Sequence, residues 1–332
     1  MLNFIKTTTV ILTFFLVGCT SIKTPDVDIK RNPYNPIPLM DQLKSEKGDD
    51  VTKMHFLVFG DAKGNKPFPY VLKRADSLDP DFCITTADLV DTGGGKKGKV
   101  DYKKLDSMGG WFMRKYPMWP TVGNHEESGG DDGIENFTNF FGMKEAMYCF
   151  EYGNAKFIAL PWPKINQDST KLKWLESELK SAQGKHIFIY RHRPFYTVGS
   201  KPYTDVDSAA TATTRLFDQY NVTAAFSGHD HIYHRTKRNN TNYIISAGAG
   251  APIYELKREK DALENDVFYG KKVSEERVDG LAPFKFRDGE GNFTDIQEAM
   301  YYVLSVKIDG NKVSIEMIDE KTGKVWDKAV IK

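Results

Sequence analysis

The sequence predicts an α/β fold, and three observations carry that prediction. Apolar runs bounded by turn residues, HFLVF (55–59), FCITT (82–86), HIFIY (186–190) and AAFS (224–227), read as buried strands. DSTKLKWLESELKSAQG (168–184) sets Leu172, Leu175, Leu179 and Ala182 at helical spacing, with Asp168 or Ser169 to cap its start and Gly184 to end it. These leucines read as core. A weaker helix, containing Leu216, Phe217 and Tyr220, leads to Asn221 and the last of those strands. YYVLSVKIDGNKVSIEMIDEKTGKVWDKAVI (301–331) alternates apolar and polar residues around Asp309-Gly310, the pattern of an antiparallel hairpin.

Five apolar runs lead directly into metal-binding residue types: Asp61, Asp88, Asn124 with His125, His192, and His229 with His231. Ligands of an open α/β sheet gather at the carboxyl ends of its strands, so one site assembled from most of the chain is implied. Carboxylates, an amide oxygen and imidazoles suit borderline first-row metals. Calcium would want oxygen throughout, and structural zinc more thiolate. The natural use of such a set is hydrolysis. A pair of ions about 3.5 to 4 Å apart shares a carboxylate and a hydroxide, lowers the pKa of water and clamps an in-line displacement at phosphorus. Asp88 is the candidate bridging carboxylate.

At these residues the chain resembles the calcineurin-like metallophosphoesterases, whose pattern runs D-x-H, G-D-x-x-x-x-G, G-N-H-[DE], H and G-H-x-H. The resemblance extends from about Met54 to Tyr254. It is closest to the purple-acid-phosphatase-like branch through GNHE (123–126), YCFEYGNAKFIAL (148–160), RHRPFY (191–196), SGHDHIYHR (227–235) and NYIISAGAGAPIY (242–254). Each piece alone is a weak signal, but the order of all five is specific. The resemblance implies an αββα sandwich of two mixed β-sheets flanked by helices. It implies an acid-phosphatase-like, metal-dependent phosphoric ester hydrolase acting on small phosphate esters, monoesters first, with a phosphodiesterase or nucleotidase as the alternative on the same site. Two divalent or trivalent ions drawn from Fe, Zn, Mn or Mg are implied. Metal two would be held by Asp88, Asn124, His192 and His229, and metal one by Asp61, Asp88 and His231. His125 would stand outside the ligand shell, steadying the phosphoryl oxygen or protonating the leaving group.

Two departures from the family pattern stand out. Lys63 replaces the His of D-x-H, and an ammonium has no lone pair to give a metal. The acid phosphatases proper compensate with a Tyr three residues after the bridging Asp, where this chain has Asp91. Metal one is therefore a ligand short. Asp91 fills the gap, water fills it, or Lys63 stands near the missing charge and binds phosphate itself; the simpler reading of Asp91 is a loop-capping carboxylate. Ala87 replaces the Gly before Asp88, a mild change if its dihedrals are ordinary. Lys63 also motivates a non-enzymatic alternative, a surface lipoprotein binding phosphate through one metal. The intact Asp88, Asn124, His125 and GHDH argue against it.

With 332 residues the chain can bury a large core, and 46 basic against 45 acidic residues, net +1, give no nucleic-acid-binding signal. Lys6 precedes an apolar stretch, Val10 to Val17, too short to span a bilayer and ending in LVGC (16–19). That layout reads as a signal peptide over residues 1–18 and resembles the lipobox of bacterial lipoproteins, with lipid on Cys19 as the membrane contact. Thr20 after the cysteine favours the outer membrane or cell surface. Residues 19–50, with four prolines over 20–50, read as a polar tether, and 51–332 as the catalytic domain. Cys83 and Cys149 lie in strand-like runs and read as free thiols rather than a disulfide. The charged stretch 256–299 reads as a solvated insertion before it reads as a substrate lid. GGGKKGK (93–99) reads as a flexible charged turn close enough to Asp88 to reach a phosphate.

Overall fold

A computed structural model describes residues 34–161, 168–201 and 211–332. The apolar leader, Cys19 and the tether as far as residue 33 lie outside the described residues. In chain order the strands are β1 (Lys53–Phe59), β2 (Phe82–Thr85), β3 (Met118–Trp119), β4 (Tyr148–Tyr152), β5 (Ala155–Ala159), β6 (His186–Tyr190), β7 (Ala224–Ser227), β8 (Tyr233–Arg238) and β9 (Thr241–Ser246). Then follow β10 (Val267–Lys271), β11 (Phe284–Arg287), β12 (Phe293–Ile296), β13 (Tyr302–Asp309), β14 (Lys312–Asp319) and β15 (Val325–Val330). The first sheet has the order β15-β14-β13-β1-β2-β3, and the second β12-β11-β10-β8-β9-β7-β6-β5-β4. Both are mixed. β1 runs parallel to β2 and antiparallel to β13, while β5, β6, β7 and β9 form a parallel block with antiparallel neighbours.

Aromatic side chains fill the space between the sheets. Phe150, Phe157, Phe188 and Phe226 stack in a row across β4 to β7 with centroid spacings of 4.7, 5.2 and 6.1 Å. Phe56 and Phe82 of the first sheet meet Phe157 edge-on, each at 5.1 Å. Stacking within a sheet and edge contacts between sheets suit the ring quadrupole, so the row fixes the spacing of the layers as well as burying apolar area. Helices α2 (Phe68–Ser77), α3 (Gly95–Met113) and α5 (Gly133–Phe141) cover the first sheet through Leu57, Phe59, Val71, Leu72, Leu105 and Phe112. Helices α6 (Ser169–Ser181) and α7 (Ala212–Gln219) cover the second through Ile158, Ile187, Leu175, Leu179 and Phe217. This is the αββα sandwich that the resemblance implied. Asp168 caps α6, accepting from the amides of Thr170 and Lys171, and the terminal hairpin turns at Gly310 with φ +61°.

Three expectations change. The tether stops short, because Pro36–Lys47 is a helix, α1, with Met40 and Leu43 buried against the core. Pro36 sits at its first position, where a missing N–H costs nothing, and Asn35 caps it through Ile37 N; Pro36 and Pro38, read as part of the tether, instead open a helix. GGGKKGK is not a loose turn, since α3 begins at Gly95. The stretch 256–299 is not merely solvated. It contributes β10, β11 and β12, which extend the second sheet from β8. Val267, Phe268, Tyr269 and Phe286 are buried there, a short apolar run without alternation that does not stand out among the surrounding charges.

Both remaining cysteines are free thiols, and burial pushes Cys83 well above the ordinary thiol range.

Candidate metal centre

The two sheets deliver their strand ends to one place. β1 ends before Asp61, β2 before Asp88, β6 before His192 and β7 before His229, while Asn124 and His125 open the short helix α4 (Asn124–Glu127) after β3. The turns that follow the strands are tight. Asp61, Lys63, Ala87, Asp88 and His229 all have φ between +47° and +73°, a left-handed conformation unusual for residues with a Cβ. A lattice of backbone bonds holds them: Asp61 N donates to Ala87 O (2.8 Å), Lys63 N to Asp88 O (2.9 Å), and His229 N to the Asp61 carboxylate. Ala87, at φ +73°, therefore lacks the ordinary dihedrals that would have made its replacement of Gly mild, and its strain is on the order of 1 to 2 kcal/mol. Gly123 and Gly228 are needed for closeness, since a Cβ on either would fall 2.2 Å from Asp88 Oδ1 or 2.4 Å from Asp61 Oδ2.

The geometry brings the expected ligands together. His192 Nε2 lies 3.1 Å from Asn124 Oδ1, 3.1 Å from His229 Nδ1 and 3.2 Å from Asp88 Oδ2. His231 Nε2 lies 3.2 Å from Asp61 Oδ1. Carbonyl oxygens fix the tautomers. The Nδ1–H of His192 donates to Thr86 O (2.8 Å), that of His231 to Pro252 O (2.9 Å) and that of His125 to Asp91 O (2.6 Å). Each Nε2 is then a lone pair turned inward, the arrangement that orients imidazole for a metal. Lone pairs of Asp88, Asn124, His192 and His229 converging in a buried space repel unless a cation stands among them. Asp88 Oδ2 and His231 Nε2 are, moreover, buried without a hydrogen-bond partner. The residues fit a metal, and Asp88, His192 and His229 alone offer ligand atoms within 4.8 Å of one another.

The buried charges also couple to one another. Burial alone would raise the Asp88 carboxyl, but His192, His125 and Lys63 outweigh it and hold it well below the usual carboxylate range. Burial disfavours charge on His192, yet Asp88 and Asp61 push it up to about 9. Burial, with His192 and Lys201 beside it, drives His229 far down. His125 Nε2 stands 3.7 Å from Asp88 Oδ2, at the partly open side of the centre.

Lys63 turns toward the centre, its Nζ 3.5 Å from Asp88 Oδ2 and its side chain 12% exposed. Asp91 turns away. Its carboxylate pairs with Lys97 at 2.6 Å, so among the readings of the ligand gap Asp91 is the one the geometry disfavours. It also caps no helix or turn by its side chain; its part in the centre is the carbonyl that orients His125. Arg191 is fully buried, with its guanidinium over the Phe195 ring.

Sequence reasoning missed two supporting residues. The buried Glu126 carboxylate accepts from the amides of Asp88, Leu89 and Gly123, and burial followed by the nearby Asp88 pushes it up to about 7. Its place in GNHE could have signalled this. Tyr254 stacks on His231 with centroids 3.9 Å apart, a contact across 23 residues of chain for which no spacing rule exists.

A family model for calcineurin-like phosphoesterase matches residues 54–233, more than half of the chain. The chain belongs to the calcineurin-like phosphoesterases. This phosphoesterase is similar to the purple acid phosphatase of Glycine max, with 26% identity over 174 residues that cover 46% of this chain and 38% of that protein. It is also similar to a 3',5'-cyclic-nucleotide phosphodiesterase of Nostoc sp., with 28% identity over 191 residues covering 54% of this chain and 67% of that one. Among solved structures, GAP50, the anchor in the inner membrane complex of Plasmodium, superimposes with a TM-score of 0.57 at 14% identity, covering 84% of this chain and 89% of that one. That likeness is one of fold.

Proposed function

We propose that this phosphoesterase hydrolyses phosphate monoesters at a two-metal centre, outside the cytoplasm and tethered to a membrane through Cys19. The observation that carries the catalytic reading is the convergence of Asp88, Asn124, His192 and His229 around one buried point, with Asp61 and His231 beside it. Bound metal ions lower the pKa of water and withdraw charge from a phosphoryl group. The chain's own residues supply the rest. Asp88, 3.2 Å from His192 Nε2, would be the carboxylate shared by the two ligand sets. His125 is held by Asp91 O with its Nε2 facing the centre, where it can pass a proton to the leaving oxygen. The strained turns at Asp61, Asp88 and His229 place the ligands before any ion arrives, so little reorganisation accompanies binding. The likeness to purple acid phosphatases supports a monoester. The likeness to the Nostoc phosphodiesterase supports a second reading, a diester substrate. LVGC at 16–19 supports the tether, and Thr20 the outer membrane or cell surface.

Elemental analysis of the purified protein, with hydrolysis of p-nitrophenyl phosphate and bis(p-nitrophenyl) phosphate, tests this. Bound metal and a monoester rate well above the diester rate are expected. A metal-free protein that cleaves neither would overturn the catalytic reading, and faster diester cleavage would favour the second one.

A further inference from the structure

Beside the metal centre, the loop after β1 and the helix α3 put several cations face to face. Lys63 and Lys66 sit on the loop, and Lys96, Lys97, Lys99, Lys103 and Lys104 lie in the first turns of α3. The two elements touch. A Cβ on Gly64 would meet Lys104 Cδ and Cε at 3.3 Å and its Nζ at 3.4 Å, so the ammonium of Lys104 lies against the residue that follows Lys63. Lys97 and Lys104, seven residues apart, share one face of α3, because seven residues are nearly two full turns. Lys97 reaches Asp91, the residue whose carbonyl holds His125. Four acids face this group: Asp88 stands 3.5 Å from Lys63, and Asp132, which accepts from Gly95 N, feels Lys99; the other two are Asp91 and Asp101. Asp91 is neutralised by Lys97, and the side chain of Asp101, one turn after Lys97, is partly buried. Lys66, Lys96, Lys99, Lys103 and Lys104 form no ion pair among the described residues. The chain as a whole carries a net charge of only +1, so this concentration of cations is local.

Resting on the phosphoesterase reading above, we propose that Lys104 provides a second anion subsite next to Lys63 and the metal centre, and that the ester cleaved there carries a further phosphoryl group. Lys63, next to Asp88, is placed for the phosphoryl group at the centre. Lys104, one residue further out along the loop, is placed for the next. A phosphoryl group with two negative charges gains charge-assisted hydrogen bonds from each ammonium, and a substrate with one phosphate leaves Lys104 unused. The glycine at 64, with its φ of +60°, leaves room for the Lys104 side chain against the loop.

The test is calorimetric and does not require turnover. Tripolyphosphate and inorganic phosphate are titrated into the metal-loaded wild-type protein, into Lys104→Ala and into Lys104→Arg. Tripolyphosphate should bind wild type more tightly than phosphate does. Lys104→Ala should weaken tripolyphosphate about ten-fold and leave phosphate unchanged, the loss of one charge-assisted contact, and Lys104→Arg should restore most of it. Lys104 is exposed, so the variant keeps its fold. An unchanged tripolyphosphate affinity in Lys104→Ala, or an equal loss for both anions, would overturn the subsite. If wild type binds both anions as expected yet cleaves no ester, the catalytic reading fails while the subsite stands.

Discussion

Replacing Asp88 by Asn keeps the shape of the side chain and removes the charge that joins the two ligand sets. The variant should lose most of its bound metal and its activity while remaining folded, and normal turnover with full metal content would rule out a bridging role. His125→Ala should keep the metal and lose rate by about 10² to 10⁴ fold, the range of a positioned acid or base. Loss of metal there would show that His125 is a ligand. Lys63 brings an ammonium within 3.5 Å of Asp88 Oδ2, and a like charge weakens an adjacent cation. Metal titration of the wild type should resolve two affinities, and Lys63→His should tighten the weaker; two equal sites in the wild type would place Lys63 outside the field of the metals. All of the proposed ligands were legible in the sequence, because each follows an apolar strand run. The contacts of Glu126 and Tyr254 were not, because they depend on which loops the fold brings together.

At the scale of elements, the strand β10 shows how a charged stretch can hide structure. Asp266, just before it and 2% exposed, pairs with His234 of β8 at 3.2 Å and accepts from Leu263 N. Burial alone would raise its carboxyl, but His234 and that amide outweigh burial and hold it below the usual range. Its contribution to stability is therefore present above the unfolded carboxylate value near pH 4 and lost as pH falls through the lower folded value. Asp266→Ala leaves His234 Nε2 buried without its partner and should cost about 1 to 3 kcal/mol. Denaturant melts should show that loss, and Asp266→Asn should flatten the acid limb of the stability curve; a slope like that of wild type below pH 4 would mean that Asp266 is not the titrating group. The sequence read this region as solvent-facing because its composition is dominated by charge. The apolar run VFYG and the alternation in FKFR span too few residues to outweigh that. The opposite error befell α1, where prolines suggested a tether, yet the buried Met40 and Leu43 lie three residues apart on one helical face.

For the whole molecule, the proposed lipid tether is the property to test directly. Protein expressed from the natural sequence in a bacterial host should partition with membranes, and Cys19→Ser should not acquire lipid, because the thiol is the acylation site. A soluble, unlipidated product from the natural sequence would refute the anchor. The sandwich itself was legible in outline through the ligand order. Its sheet assignments were not, since nothing in the apolar pattern of the final hairpin says that it pairs with β1 rather than with its neighbours in the chain.

That pairing has a kinetic consequence. β1 lies between β2 and β13, in antiparallel register with β13 from Lys53↔Asp309 to Val58↔Leu304, while the whole second sheet is threaded between those two strands in the chain. A ribosome delivers β1 early and its partner almost last. Until the final hairpin emerges, β1 exposes an open edge and the turn bearing Asp61 has support on one side only. Contacts so distant in sequence close slowly. A chain that stays open until its last strands arrive stays passable for a channel, so, under the proposed export, the same register that braces the metal centre in the finished protein should hold folding back until translocation is complete.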